Sequence, residues 1–185
     1  MKKKIVIDIG HGGKDPGASG GGMKESKINW NVAMKLKELL LADGYLVVMT
    51  RNTYDQTMSL TARAKAINAA KPDLWLSDHH NAGGGDGYDV IYQTDPLYTV
   101  ESKRFADLVA KEFDTINNRH RVFTKPSTSN PKEDWYTILA LSDAPGIIAE
   151  AAFLDTKDVT VINTLTKQWA EAACLHRAIN RYFNA

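Results

Sequence analysis

The chain has 185 residues, of which 43% are hydrophobic and 24% charged, with 23 Lys and Arg against 22 Asp and Glu. This length fits one domain with a full hydrophobic core, and we expect a single domain over residues 1–185. The balanced charge provides no basic patch, so we expect neither nucleic acid nor a membrane as a partner. The sequence also has no apolar run long enough to span a bilayer.

The N-terminus begins with Met1 and three lysines, as a signal peptide does. However, the apolar run Ile5–Ile7 is interrupted at once by Asp8, and no cleavage site follows. We therefore expect a β-strand at this position. The chain is then either made without an export signal or is the trimmed domain of an exported protein.

Short apolar runs alternate with longer helical patterns along the chain, which is typical of an α/β fold. We expect a single open, mostly parallel twisted sheet of about six strands, with helices on both faces. The predicted strands are Lys4–Ile9, Leu46–Met49, Asp73–Ser77, Asp89–Tyr92, Thr137–Leu141 and Gly146–Ala149. The predicted helices are Glu25–Ala42, one capped by Ser59, Val100–Ile116 and Thr166–Phe183.

Two segments interrupt this alternation and are predicted to be functional loops. Gly10–Gly22 is rich in glycine and joins the first strand to the first helix. Arg119–Asp134 is polar and lacks apolar periodicity. Trp135 and Tyr136 border the second loop, and we expect them to form a wall of a substrate site. The glycine loop lacks both common phosphate-binding patterns, so a nucleotide site is not expected.

Four ionisable residues lie where predicted strands end or where a predicted helix begins. His11 follows the first strand, His79 follows the third, Glu150 ends the last, and Glu25 opens the first helix. Ligands of open α/β sheets bind beyond the carboxyl ends of the strands. If these strands are parallel, all four residues emerge at one edge of the sheet.

Two imidazoles and one carboxylate form the ligand set of a catalytic zinc site, so His11, Glu25 and His79 are the predicted ligands of one zinc ion. A carboxylate beside the open coordination position would take a proton from the attacking water and pass it to the leaving group. Glu150 is placed for that role. Each residue alone has a structural alternative. Glu25 could complement a helix dipole, His79 and His80 could donate hydrogen bonds to backbone, and Glu150 could form a salt bridge.

Several segments, in this order, resemble the type-3 family of zinc-dependent N-acetylmuramoyl-L-alanine amidases. Gly10–Ala18 with Gly21 and Glu25 resembles the family's opening motif, and Arg51–Thr53 and Ser59–Arg63 resemble its next blocks. Ser77–Ala82 resembles the family's segment that carries the second histidine ligand. Ile148–Leu154 resembles the family's strand that carries the catalytic glutamate. Asp78 and His80 depart from the pattern, which usually has an apolar and a small residue at these positions.

The resemblance implies zinc bound by His11, Glu25 and His79, with Glu150 as the general base. It implies hydrolysis of the amide between N-acetylmuramic acid and L-alanine, with peptidoglycan as the partner. Family members include autolysins and phage endolysins, which usually carry a cell-wall-binding domain as well. We expect such a domain to be absent from this chain, and we expect the enzyme to act on the cell wall. The alternatives are a zinc peptidase or other amidohydrolase with the same ligands, or a non-catalytic cell-wall-binding module.

Overall fold

The computed structural model describes residues 2–184, so the first and last residues of the predicted domain lie outside it. The strands are β1 Lys4–Ile9, β2 Ser19–Gly20, β3 Met23–Lys24, β4 Leu46–Met49, β5 Leu74–Asn81, β6 Tyr88–Tyr92, β7 His120–Phe123 and β8 Gly146–Phe153. The helices are α1 Glu25–Ala42, α2 Leu60–Ala70, α3 Thr99–Phe113, α4 Thr137–Ala140 and α5 Leu165–Asn184. A short 3-10 helix, Lys157–Val161, precedes α5.

Six strands form the main sheet, in the order β4-β1-β5-β8-β6-β7. All neighbouring pairs are parallel except β6 and β8, which are antiparallel. The expected fold class, a mostly parallel six-stranded α/β sheet, is confirmed. Strands β1, β5 and β8 lie side by side and run in the same direction, so their carboxyl ends meet at one edge.

Helices cover the two faces of this sheet unequally. The larger core lies under α1, α3 and α5 and is filled by residues such as Ile7, Leu36 and Phe105. The smaller core lies under α2 and α4, around Trp75 and Ile148. Helices α2 and α4 are short, so the face of the sheet that they cover is left open near the carboxyl ends of β5 and β8. In residues 2–184 no helix is both long and apolar enough to cross a membrane.

Three sequence expectations are corrected. Thr137–Leu141 was expected as a strand, but residues 137–140 form the helix α4. The polar segment Arg119–Asp134 contains the edge strand β7, and the glycine loop contains β2, which pairs with β3 directly after the loop. Strands β5 and β8 also extend past their predicted ends, so His79 and Glu150 lie inside strands. The residues directly after the predicted ends are polar, with His79 and Glu150 facing the site and Asp78 and His80 facing the core, so the apolar signal on which the predicted boundaries depended is missing there.

Candidate metal centre

Three predicted residues come together at the carboxyl edge of the sheet. His11 lies in the loop after β1, Glu25 is the first residue of α1, and His79 lies within β5. Glu25 bridges the two histidines, with its Oε2 at 3.1 Å from His11 Nε2 and its Oε1 at 2.9 Å from His79 Nδ1. One ligand atom from each residue lies within 4.8 Å of the other two, so this group could hold a metal ion.

Glycines around this group allow the close approach. A Cβ at Gly17 would lie 2.5 Å from the Glu25 carboxylate and 2.7 Å from the His11 ring. A Cβ at Gly10 would lie 2.6 Å from the His79 ring. His11 itself adopts a left-handed backbone conformation, with φ of 59°. That conformation is uncommon for a non-glycine residue and is concentrated at functional sites.

The charges in this group suit a cation. Burial alone would raise the pKa of the Glu25 carboxyl, but hydrogen bonds from His11 and His79 outweigh burial and hold that pKa far below its ordinary value. For His79, burial lowers the pKa of the ring despite the opposing effect of Glu25, which favours the neutral imidazole that a metal requires. Asp15 Oδ2 lies 2.8 Å from His11 Nδ1 and orients that ring, so that Nε2 faces Glu25.

A buried ion pair contacts the His79 ring on the side away from Glu25. Arg63 and Asp8 are almost fully buried and form a bidentate salt bridge beneath the site. The same guanidinium lies 3.2 Å from Nε2 of His79 and 3.2 Å from the Ser77 hydroxyl. Both carboxylate oxygens of Asp8 therefore accept hydrogen bonds within the protein, and Asp8 holds Arg63 in place.

Glu150 is the register partner of His79 on the neighbouring strand β8, so both side chains lie on the same face. They line a cavity of about 110 Å³ together with Leu60, Tyr136 and Ile138. Burial, followed by the charges of Glu25 and Asp89, raises the pKa of Glu150 to about 7. A carboxyl group with such a pKa can gain and lose a proton near neutral pH. Of the two aromatic residues expected at the substrate wall, Tyr136 lines this cavity and Trp135 is exposed.

The neighbouring residue His80 lies on the opposite face of the sheet, in the larger core. Its Nδ1 contacts Asn29 Oδ1 at 2.8 Å and its Nε2 contacts Glu171 Oε2 at 3.1 Å. Asp78, also fully buried, lies next to this cluster. The two positions that depart from the family's pattern therefore belong to one buried polar cluster, which consists of Asn29, Asp78, His80 and Glu171.

Sequence reasoning assigned no role to several polar residues around the site, among them Asp15, Asp89 and Arg121. Asp15 follows His11 by four residues within the glycine loop, a spacing that gave a usable signal. Asp89 and Arg121 reach the site only through the pairing of β6 with β8 and of β7 with β6. No local pattern reports those long-range pairings.

Together, the helix-flanked sheet and the His–Glu–His group at its carboxyl edge define an α/β protein with a site that could hold a metal ion. The chain belongs to the Amidase_3 family, described as N-acetylmuramoyl-L-alanine amidase, whose model matches residues 5–181. The family resemblance inferred from the sequence motifs is thereby confirmed.

Named relatives agree with this assignment. The chain is 36% identical over 155 residues to the N-acetylmuramoyl-L-alanine amidase CwlM of Bacillus licheniformis, covering 82% of this chain and 57% of CwlM. It is 31% identical over 159 residues to an endolysin of Bacillus phage SPP1, covering 85% of this chain and 57% of the endolysin. The solved structure of Cwp6 from Clostridium difficile matches 98% of this chain and 29% of Cwp6, with 34% identity and a TM-score of 0.89. The chain thus spans just over half the length of these two curated relatives.

Proposed function

We propose that this chain is a peptidoglycan hydrolase that uses zinc to cleave the amide bond between N-acetylmuramic acid and the L-alanine of the stem peptide. The observation that carries the proposal is the group His11, Glu25 and His79 beside the register partner Glu150, in a chain of this family. We further propose that residues 1–185 form the catalytic domain and that the enzyme acts on the cell wall.

The donor set fits zinc. Two imidazole nitrogens and one carboxylate oxygen are the protein ligands of many catalytic zinc sites, which keep one position open. The lowered pKa of Glu25 keeps that ligand ionised, and Asp15 provides the carboxylate–histidine contact that commonly orients a zinc ligand. Zinc held by His11, Glu25 and His79 would supply Lewis acidity, which polarises the carbonyl of the scissile amide.

The protein's own residues would supply the proton transfers. Glu150, ionised, would accept a proton from the attacking water as the new C–O bond forms. It would then donate that proton to the amide nitrogen as the C–N bond breaks, releasing the stem peptide with a free amine on its L-alanine. The pKa of about 7 suits both steps at neutral pH, because the group can hold and release the proton. The cavity beside it, lined by Leu60 and Ile138, would accept a small apolar group of the substrate.

A comparison of Glu150→Gln with Glu25→Gln tests these roles. Glu150→Gln keeps the size of the side chain but removes the base, so zinc content should stay at the wild-type level while the rate falls by roughly 10²–10⁴-fold. Glu25→Gln weakens a ligand, so zinc affinity should fall together with the rate. His80→Ala is the matched control for His79→Ala: it should retain zinc, whereas His79→Ala should lose it.

Product analysis decides the reaction. Digestion of purified cell walls should release new L-alanine amino groups and no new reducing sugar, and a chelator should stop it. New amino groups from other stem-peptide residues would instead identify a peptidase. A zinc-loaded Glu150→Gln variant with wild-type activity would refute the role of Glu150. Loss of zinc from His80→Ala but not from His79→Ala would refute the ligand assignment.

A further inference from the structure

A row of four charged or ionisable residues crosses the open face of the sheet. His79 on β5 pairs with Glu150 on β8, Glu150 with Asp89 on β6, and Asp89 with Arg121 on β7. Residues paired in register point to the same face, so all four side chains share one surface. The row begins at the candidate metal centre and ends at the exposed edge strand.

Arg121 is held rigidly at the far end of this row. Its Nε and Nη2 donate to the two oxygens of Asp89, which is itself buried and also accepts a hydrogen bond from Asn81 Nδ2 at 3.0 Å. The guanidinium lies 5.3 Å from the centre of the Phe123 ring. Two contacts thus fix the plane of the guanidinium, and the entropy lost when it binds a ligand is small.

One edge of this guanidinium remains available. The hydrogen bonds of Arg121 within residues 2–184 use Nε and Nη2 and leave Nη1 without a protein acceptor. The side chain is 64% exposed, whereas its partner Asp89 is 4% exposed. A fixed, planar and exposed donor edge suits a carboxylate, which accepts charge-assisted hydrogen bonds from guanidinium groups.

Building on the proposed function, we infer that Arg121 binds a carboxylate of the stem peptide and so sets which peptides the enzyme prefers. The substrate's chemistry indicates that this carboxylate lies on the peptide side of the scissile amide and not on the sugar side. The lactyl carboxyl of the muramoyl sugar is consumed in the scissile amide, whereas the residues after L-alanine carry free or amidated carboxyl groups. Arg121 would then be a specificity-determining residue on the side of the leaving amine.

The spacing of the row indicates which carboxylates can be reached. Adjacent strands lie about 4.8 Å apart, so Arg121 lies roughly 10 Å along the sheet from Glu150. An extended peptide advances about 3.4 Å per residue, so this interval corresponds to roughly three residues. With the scissile amide beside Glu150, the guanidinium would meet a carboxylate on the second or third residue of the stem peptide.

Soluble muramoyl-tripeptides that differ in single carboxylates provide the test. One pair carries D-isoglutamate or D-isoglutamine at the second position, and another carries diaminopimelate or lysine at the third. We expect the wild-type enzyme to prefer the carboxylate in one pair by about 10-fold in kcat/KM, mainly through KM, as for a partly exposed charge-assisted hydrogen bond. Arg121→Gln should lose this preference, so that the ratio of the two kcat/KM values within the pair falls to about one.

Arg119→Gln is the matched control, because Arg119 is also exposed and paired with an aspartate, Asp86, near the same edge strand. It should keep the preference. Arg121→Lys covers the case in which the glutamine variant folds poorly, since a lysine can still pair with Asp89 but lacks the second donor edge. It should lose most of the preference. Equal cleavage within both pairs by the wild type, or a preference that survives in Arg121→Gln, would overturn the inference.

The outcome is separable from that of the proposed function. If the wild type cleaves none of these substrates, the proposed function fails. Calorimetric binding of the free tripeptide L-alanyl-D-isoglutamyl-diaminopimelate to wild type and Arg121→Gln then tests the inference directly. Weaker binding by the variant, with unchanged binding to Arg119→Gln, would support carboxylate recognition. Equal binding to all three proteins would contradict it.

Discussion

Glu171 of α5 makes the stability of this protein depend on pH in a calculable way. The side chain is fully buried, next to His80 and Asp78. Burial raises the pKa of Glu171 to about 8, although the neighbouring Asp78 side chain acts in the opposite direction. Burial and the charge of Glu171 likewise raise the pKa of Asp78 well above its ordinary value. At neutral pH the folded protein therefore retains a proton that the unfolded chain has released.

The sign and size of the effect follow from this difference. Between the unfolded value of 4.5 and the folded value of about 8, the folded state binds more protons, so the free energy of unfolding falls as pH rises. At 1.36 kcal/mol per pKa unit, Glu171 alone lowers that free energy by about 5 kcal/mol between pH 4 and pH 9. Glu171→Gln cannot ionise, and its amide can still contact His80 and Asp78. The variant should match the wild type near pH 4 and exceed its stability by several kcal/mol at pH 9.

Urea unfolding from pH 4 to pH 9, monitored by circular dichroism, measures this difference. Metal-free protein should be used, because metal binding itself depends on pH. Glu38→Gln is the control, since Glu38 is a glutamate on α1 whose side chain is 69% exposed and pairs with Lys35. It should leave the pH profile of the wild type unchanged. Parallel pH profiles for the wild type and Glu171→Gln would refute the reasoning, because they would mean that Glu171 titrates alike in the folded and unfolded states.

Two further predictions concern the metal. Asp15→Asn should weaken zinc binding by about 10–100-fold, because Asp15 orients His11. The fold should stay intact, because the Asp15 side chain is 57% exposed. Unchanged zinc affinity in a competition titration would contradict this prediction. Removal of the metal should leave far-ultraviolet circular dichroism unchanged but lower the melting temperature, and added zinc should restore it. The reason is that a ligand bound only by the folded state stabilises that state by mass action. Loss of the dichroism signal at room temperature would indicate a structural metal instead.

Local patterns predicted the elements whose signal lies within their own residues. The bounds of β1, β4 and α1 agree with the sequence expectation, and Ser59 caps α2 by accepting a hydrogen bond from the Ala62 amide. These elements have apolar faces of clear period or a recognised cap. The helix α4 was misassigned because it has only four residues and contains Thr137 and Ile138, β-branched residues that favour strands.

Strand β7 could not be found from its own residues. It is an edge strand, its first two residues are exposed, and His120 and Arg121 are polar, so the alternation that marks a half-buried strand is missing. Its pairing with β6 is a contact between distant parts of the chain. The row that ends at Arg121 could therefore not be predicted from the sequence. The three residues His11, Glu25 and His79 could be predicted, because ligands of parallel sheets bind at the carboxyl ends of the strands.

The adjacent histidines show how strand geometry separates two environments that are one residue apart. His79 faces Glu25 and the open side of the sheet, while His80 lies in the core with Asn29 and Glu171. Because side chains alternate along a strand, a slip of β5 by one residue would exchange these environments. The slip would break the hydrogen bonds of both rings and leave the buried oxygens of Asn29 and Glu171 unpaired, at a cost of about 1–3 kcal/mol for each group. The buried cluster that weakens the fold at high pH therefore also favours the register in which His79 meets Glu25.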